Sequence, residues 1–224
     1  MVDTARTITE MQALLADNTS GDISPQDLRD MLATLCNMDT DRSGFTGGGW
    51  NDMHAAFTAG TAPATNPPTL AQWGSSGIYQ WSFELADQIF VAFHVPHTYK
   101  VGSEFTPHVH FAPSTAMADG ETIVWKIEWM YAPLNPDTPA AFDPSSTVTT
   151  TLTYTSSGVT AANTHLAEGA TPVALTNAAP GTIITARVYR DTDTYADPVW
   201  GLSLNGHYQA DRMGTKTADY PYYD

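Results

Sequence analysis

The sequence predicts a mainly β protein, a jelly-roll-like antiparallel β-sandwich that follows a short N-terminal helical segment and an extended arm. The clearest evidence is the stretch ETIVWKIEWMYAP at residues 121–133, where large apolar side chains alternate with polar ones. This is the period of a strand with one buried face. About eight segments of this kind, separated by Pro, Gly and Asp turns, indicate two packed sheets. Residues before position 39 follow a helical period instead.

Residues 1–38 are predicted to form a helix-turn-helix segment. Thr7 and Glu10 have the spacing of a capping box, and Ser24 followed by Pro25 is a typical start of a second helix. Two helices this short are not stable alone, so they must pack on the body, on another copy or on a partner. The apolar stripes of the two helices are Ile8, Met11, Leu14 and Leu15, then Leu28, Met31, Leu32 and Leu35.

Residues 39–76 are predicted to form an arm without regular structure. Glycine and proline are frequent here, in the run GGG at 47–49 and the pair PP at 67–68. A structureless stretch of roughly 35 residues is unusual inside a compact domain, and indicates a segment that reaches across a neighbour. Trp50, Met53 and Phe57 are the predicted anchors of this arm.

The β-sandwich body is predicted to span residues 77–209, with a docking tail over residues 210–224. The stretch 87–95 is apolar on both faces and predicts a central strand. In the stretch 147–155, a row of threonines faces away from the apolar side chains, towards solvent or another subunit. The predicted strands are 87–95, 101–113, 121–133, 147–155, 181–190 and 199–208.

His108 and His110 are the candidate chemical groups of the body, because residues at i and i+2 of a strand point the same way and can share one ion. With the preceding glycine they match the G-x5-H-x-H opening of the cupin signature, but no carboxylate follows them. His207 is the candidate distant ligand, and His94 or His97 could come near. The alternative is a structural pair of neutral histidines. We predict no cofactor, no bound metal and no catalytic residue.

Composition limits the partners of this chain. A net charge of −15 at pH 7 disfavours nucleic acid and anionic membranes, and favours a protein or a neutral glycan. The single Cys36 excludes an internal disulfide framework. The N-terminus has no basic and apolar signal pattern, and no apolar run approaches the ~20 residues of a membrane span. We therefore expect synthesis in the cytoplasm, with exit by lysis or as cargo.

Two parts of the sequence resemble structural proteins of tailed bacteriophages. LLADNTSGDISPQDLRDML at residues 14–32 is similar to an N-terminal helix-turn-helix segment found in such proteins. HVHFAP, TIVWKIEWMYAP and the C-terminal HYQADRMGTKTADYPYYD resemble a family of trimeric jelly-roll proteins on the phage head or tail. The resemblance covers residues 8–35 and 86–224. It implies a virion role, transfers no catalytic residue, and implies that the histidine pair is structural.

The function predicted from sequence is that of a capsid decoration (cement) protein, not an enzyme. It would assemble in the host cytoplasm and bind the head shell of the virion as a homotrimer, with the major capsid protein or other virion proteins as partners. One alternative is a tail or fibre protein whose exposed aromatics bind a host glycan, through Trp73, Tyr79 and Trp81 or through Tyr220, Tyr222 and Tyr223. Another is a cupin-type metal enzyme. The predicted attachment contacts are Met11, Leu14, Leu15, Leu28, Leu32, Trp50 and Phe57.

Overall fold

In the computed structural model, which describes residues 49–134, 140–144 and 147–210, the chain forms two antiparallel β-sheets packed as a sandwich. The predicted helical segment 1–38 and nearly all of the predicted tail lie outside the described residues. So do the attachment contacts Met11, Leu14, Leu15, Leu28 and Leu32, and the glycan candidates Tyr220, Tyr222 and Tyr223. Among the described residues no helix is long and apolar enough to cross a membrane.

The described residues contain eleven strands and one short 3-10 turn, Phe57–Ala59. All six strands predicted from the sequence are present within a few residues of their predicted bounds. The strands are β1 Gly49–Ala56, β2 Thr69–Gln72, β3 Tyr79–Phe83, β4 Gln88–His94, β5 Glu104–Pro113, β6 Thr122–Ala132, β7 Val148–Thr155, β8 Leu166–Gly169, β9 Val173–Ala174, β10 Ile183–Arg190 and β11 Val199–Ala210.

The chain crosses several times between the two sheets, in the order of a jelly roll. The larger sheet runs β2-β3-β11-β5-β8, with β1 paired to β11 and β9 paired to β5; the smaller sheet runs β4-β10-β6-β7. If β1, β2 and β9 are left out, the eight remaining strands can be renumbered 1 to 8 in chain order. The larger sheet then has the strand order 1-8-3-6, and the smaller sheet has the order 2-7-4-5. Two Greek keys folded into a double sheet give this arrangement, so the predicted fold class is confirmed.

The core lies between the sheets and is rich in aromatic rings. In β6 the predicted alternation is confirmed, since Trp125 and Trp129 are buried while Lys126 and Glu128 lie on the outer face. Phe105 packs edge-on against Trp129, with ring centroids 5.6 Å apart. Aromatic pairs at such distances add to the stability gained by burial. The other fully buried large side chains include Phe57, Phe83, Ile89, Tyr99, Phe111, Met117, Ile123 and Ile127.

The described part of the predicted arm belongs to the sandwich, which corrects the sequence prediction. Strand β1 begins at Gly49, the last residue of the glycine run, and Met53 and Ala55 point into the core. Phe57, predicted as an attachment contact, is fully buried against Phe83 and Trp125. The frequent Gly and Pro residues predicted an arm, but most of them lie before β1 or between the 3-10 turn and β2. The strand between these two stretches has period-two alternation.

Strand β4 is an edge strand, not the central strand that its apolar sequence predicted. It pairs only with β10 in the described sheet, and Val91 and Phe93 face the core. Phe90 lies on the opposite face and is 39% exposed. A single bridge to Thr61 covers the outer edge of β4 at Phe90. The apolar residues on the second face of this strand therefore do not indicate a second packed layer.

A fully buried arginine connects the ends of several strands. Both Nε and Nη2 of Arg190 donate to the carboxylate of Asp193, at 2.9 and 3.0 Å. Its Nη1 donates to the carbonyls of Phe83 and Asp197, at 3.1 and 2.7 Å, and Nη2 also donates to the carbonyl of Tyr195. Because its charge is paired and its donors are used, we assign this arginine a structural role.

Candidate functional site

The pairing of β5 with β11 brings the predicted histidines together on the outer face of the larger sheet. Inward-facing Phe105 and Val109 fix the orientation of β5, so His108 and His110 point outward. His108 lies opposite Asn205 in the register. His207, two residues further along β11, stacks on His108 with ring centroids 4.3 Å apart. The prediction that His108 and His110 share a face, with His207 nearby, is confirmed.

Strand β1 adds a carboxylate to this face. Successive side chains of a strand point to opposite faces. Because Met53 and Ala55 face the core, Asp52 and His54 point outward. The Asp52 carboxylate accepts hydrogen bonds from Asn205 Nδ2 at 2.8 Å and from the Gly206 backbone N–H at 3.1 Å. Asp52 Oδ2 lies 3.6 Å from His108 Nε2. Its position is therefore fixed beside the histidines.

Five of the seven histidines in the sequence lie on this face, which we call the histidine face. The rings of His108 and His110 are 4.9 Å apart, and His110 Nδ1 lies 2.8 Å from His165 Nε2. His54 is near enough to affect the pKa of His110. The histidine face consists of His54, His108, His110, His165 and His207, together with Asp52 and Asn205.

The electrostatic environment keeps the inner histidines neutral. Burial lowers the pKa of His108 below its usual value, and His207 lowers it further, while Asp52 and the Thr106 backbone oppose the shift. The pKa of His110 is also lowered, first by burial and then by the neighbouring His108 and His165. A neutral imidazole has a free lone pair on one nitrogen, which can accept a hydrogen bond or bind a metal.

Several buried polar atoms on this face have no hydrogen-bond partner among the described residues. They are His108 Nδ1, Asn205 Oδ1 and Trp200 Nε1. His108 and Asn205 are each only 7% exposed. An unpaired buried polar atom costs about 1–3 kcal/mol of folding free energy.

Aromatic rings border the histidine face. Trp50 lies on the same side of β1 as Asp52 and is 56% exposed. At the other end of β11, Trp73 stacks on Trp200 with centroids 5.4 Å apart and an interplanar angle of 17°. Trp73 Nε1 donates to Asn163 Oδ1 at 2.7 Å. The larger sheet thus carries both apolar rings and polar groups on one outer face.

The remaining predicted binding residues have mixed outcomes. Tyr79 is exposed, whereas Trp81 packs against the core and donates from Nε1 to the Phe57 carbonyl, so Trp81 is not a free aromatic platform. His94 and His97 lie near each other, with centroids 6.2 Å apart, at the end of β4 in the smaller sheet. They do not join the histidine face.

Sequence reasoning missed Asp52, His54, His165 and Asn205. The alternation of Trp50, Asp52 and His54 against Met53 and Ala55 was a detectable signal, but the Gly and Pro residues around it favoured an arm. The positions of His165 and Asn205 depend on strand register, for which the sequence carried no signal.

Asp52, His108 and His207 are the group of described residues that could hold a metal ion. One donor atom from each lies within 4.8 Å of those of the other two. The same atoms can form hydrogen bonds with hydroxyl groups of a ligand, since the group offers both acceptors and donors. The arrangement supports binding chemistry, and His108 is the most buried member.

Comparisons with known proteins do not assign a family. No family model matches the sequence, and no curated protein matches it. Among solved structures, a xylan-binding module, CBM15, has a TM-score of 0.35 and 12% identity over 74% of this chain and 99% of its own. CBM35 from Cellvibrio japonicus Abf62 has a TM-score of 0.33 and 12% identity, covering 73% of this chain and 99% of its own. Likenesses at this level do not establish kinship or function.

Proposed function

We propose that this protein is a non-catalytic binding module that recognises a neutral glycan on the outer face of the larger sheet. One observation carries the proposal: the exposed Trp50 indole lies on the same outer face as the exposed polar groups of Asp52 and His207. Ligand sites commonly combine an apolar surface with a few fixed polar groups.

A sugar ring suits this combination of groups. Its C–H face can pack on the exposed indole of Trp50, and its hydroxyls can both donate and accept hydrogen bonds. Asp52 supplies acceptors, and the ring nitrogens of the exposed His207 supply a donor and an acceptor. The net charge of −15 favours a neutral sugar over an acidic one.

The experiment is a glycan-array screen of the full-length protein, followed by calorimetric titration of the best neutral oligosaccharide. Trp50→Ala should weaken binding roughly tenfold or more, as expected for an aromatic anchor. Phe90→Ala is the matched control, because Phe90 is an exposed aromatic on the outer face of the other sheet. The proposal fails if no neutral glycan binds saturably, or if both variants bind as the wild type does.

The virion role and the homotrimer stay predictions. Five of the seven predicted attachment contacts lie outside the described residues; Trp50 is exposed, and Phe57 is in the core. A truncation that tests attachment to phage heads must stop before β1, because removing Met53 or Phe57 would damage the sandwich itself. Glycan binding would suit the tail or fibre alternative of the resemblance.

A further inference from the structure

The geometry points to a binding site for one divalent transition-metal ion of the Zn²⁺ class, formed by Asp52, His108 and His207 on the outer face of the larger sheet. This site goes beyond the proposed glycan-binding function and does not depend on it. From sequence, no metal was predicted because no carboxylate follows His110. Strand β1 supplies that carboxylate from an earlier part of the chain.

The separation of the donor atoms fits a metal centre. With metal–ligand bonds of about 2.0–2.1 Å, two ligands of a tetrahedral ion are separated by roughly 3.4 Å. His108 Nε2 and Asp52 Oδ2 are 3.6 Å apart, and the donors of all three residues lie within 4.8 Å of one another. To bind the same ion as His108, the exposed His207 ring must turn out of its stack on His108.

The surroundings hold the ligands in place. The Asp52 carboxylate accepts from Asn205 Nδ2 and from the Gly206 N–H, which leaves lone pairs of Oδ2 available for an ion. Such outer contacts commonly orient the ligands of metal sites. His108 is held by burial, since it is only 7% exposed.

The donor set determines the class of ion. Two imidazole nitrogens and one carboxylate oxygen suit Zn²⁺ and its transition-metal neighbours, whereas Ca²⁺ and Mg²⁺ prefer oxygen ligands alone. Three protein ligands leave a fourth position for water or for a group of a bound molecule. We therefore expect one ion for each chain, with selectivity against Ca²⁺.

The test uses the full-length protein, stripped with EDTA and dialysed against Zn²⁺, with the metal content measured by mass spectrometry and the affinity by calorimetry. The variants are His207→Ala and Asp52→Asn. Both side chains are exposed, and the asparagine can still accept the Gly206 N–H. His94→Ala is the control, since it removes an exposed histidine from the other sheet. Circular dichroism verifies that each variant is folded.

One equivalent of Zn²⁺ should bind the wild type and His94→Ala equally, and binding should weaken at least ~10-fold in His207→Ala and in Asp52→Asn. A tenfold excess of Ca²⁺ should not displace the ion. The proposal is overturned if no stoichiometric Zn²⁺ binds, if both site variants bind as tightly as the wild type, or if Ca²⁺ competes. A loss in His94→Ala equal to that in the site variants would also overturn it.

Discussion

Replacement of Phe57 by alanine should strongly destabilise the sandwich, although Phe57 lies in a stretch that the sequence predicted to be an arm. Its side chain is fully buried. The ring lies 5.7 Å from that of Phe83 and 6.3 Å from that of Trp125. The Phe57 carbonyl also accepts the indole N–H of Trp81 at 2.8 Å, so the backbone there is anchored as well.

The expected loss has two parts. Removing a fully buried phenyl group costs about 2–3 kcal/mol of transfer free energy. The cavity that remains, about 100 Å³ before relaxation, adds roughly 2 kcal/mol at ~24 cal/mol per Å³. The sum, about 4 kcal/mol, is a large fraction of the 5–15 kcal/mol typical of whole domains.

Urea denaturation followed by tryptophan fluorescence measures this loss. With a slope of ~2 kcal/mol per M, the unfolding midpoint should fall by ~2 M in Phe57→Ala. Trp50→Ala, an exposed aromatic earlier in the same segment, should change the free energy of unfolding by less than about 0.5 kcal/mol. If Phe57→Ala loses less than about 1 kcal/mol, Phe57 does not belong to the core and the arm prediction regains support.

Three further predictions concern other parts of the sandwich. Asp193→Asn should lower the free energy of unfolding, measured by urea denaturation, by about 3–5 kcal/mol, because it leaves the fully buried Arg190 without its counter-ion. A loss below about 1 kcal/mol would contradict the structural role of Arg190. Gly206→Ala should cost about 1–3 kcal/mol or prevent folding, because a Cβ there overlaps the Phe105 ring, and wild-type stability would disprove that close approach. Burial raises the pKa of the Glu168 carboxyl above its ordinary value of 4.5, so the ionised form destabilises the fold. Glu168→Gln should therefore raise the urea midpoint of unfolding at pH 7. This gain should vanish below pH 4.5, because the carboxyl is then protonated in both the folded and the unfolded chain. An equal gain at both pH values would rule out this cause.

The parts of the fold that the sequence revealed are those with local signals. In β6 the alternation of Trp125 and Trp129 with Lys126 and Glu128 was sufficient to predict which face is buried. The same argument correctly placed His108 and His110 together on the outer face of β5. It failed for β4, because exposed apolar residues such as Phe90 are indistinguishable from buried ones in a sequence alone.

The parts that it did not reveal depend on long-range pairing. Asp52 reaches the histidine face because β1 pairs with β11, and His165 reaches His110 because the adjoining β8 pairs with β5. Neither strand pairing can be predicted from the residue types of the paired strands. The sequence therefore predicted part of the candidate site, the H-x-H pair with a distant His207. It did not predict the Asp52 carboxylate, because Asp52 lies in a stretch that was interpreted as an arm.

The two outer faces of the sandwich differ in how their polar groups are paired. On the smaller sheet the charged groups are mostly paired: Lys126 with Asp191 at 2.6 Å, and Arg187 with Glu128 at 3.4 Å. Only Arg187 Nε is a buried polar atom without a partner on that face, within the described residues. Paired surface charges add little stability.

On the outer face of the larger sheet, several buried polar atoms of the described chain lack hydrogen-bond partners instead. The histidine face places imidazole rings side by side, with His108 between His110 and His207. Three buried polar atoms there, His108 Nδ1, Asn205 Oδ1 and Trp200 Nε1, lack partners among the described residues. Each lowers the stability of the fold. Because metal binding depends on Asp52 and His207, and sugar stacking depends on Trp50, the two proposals can fail separately.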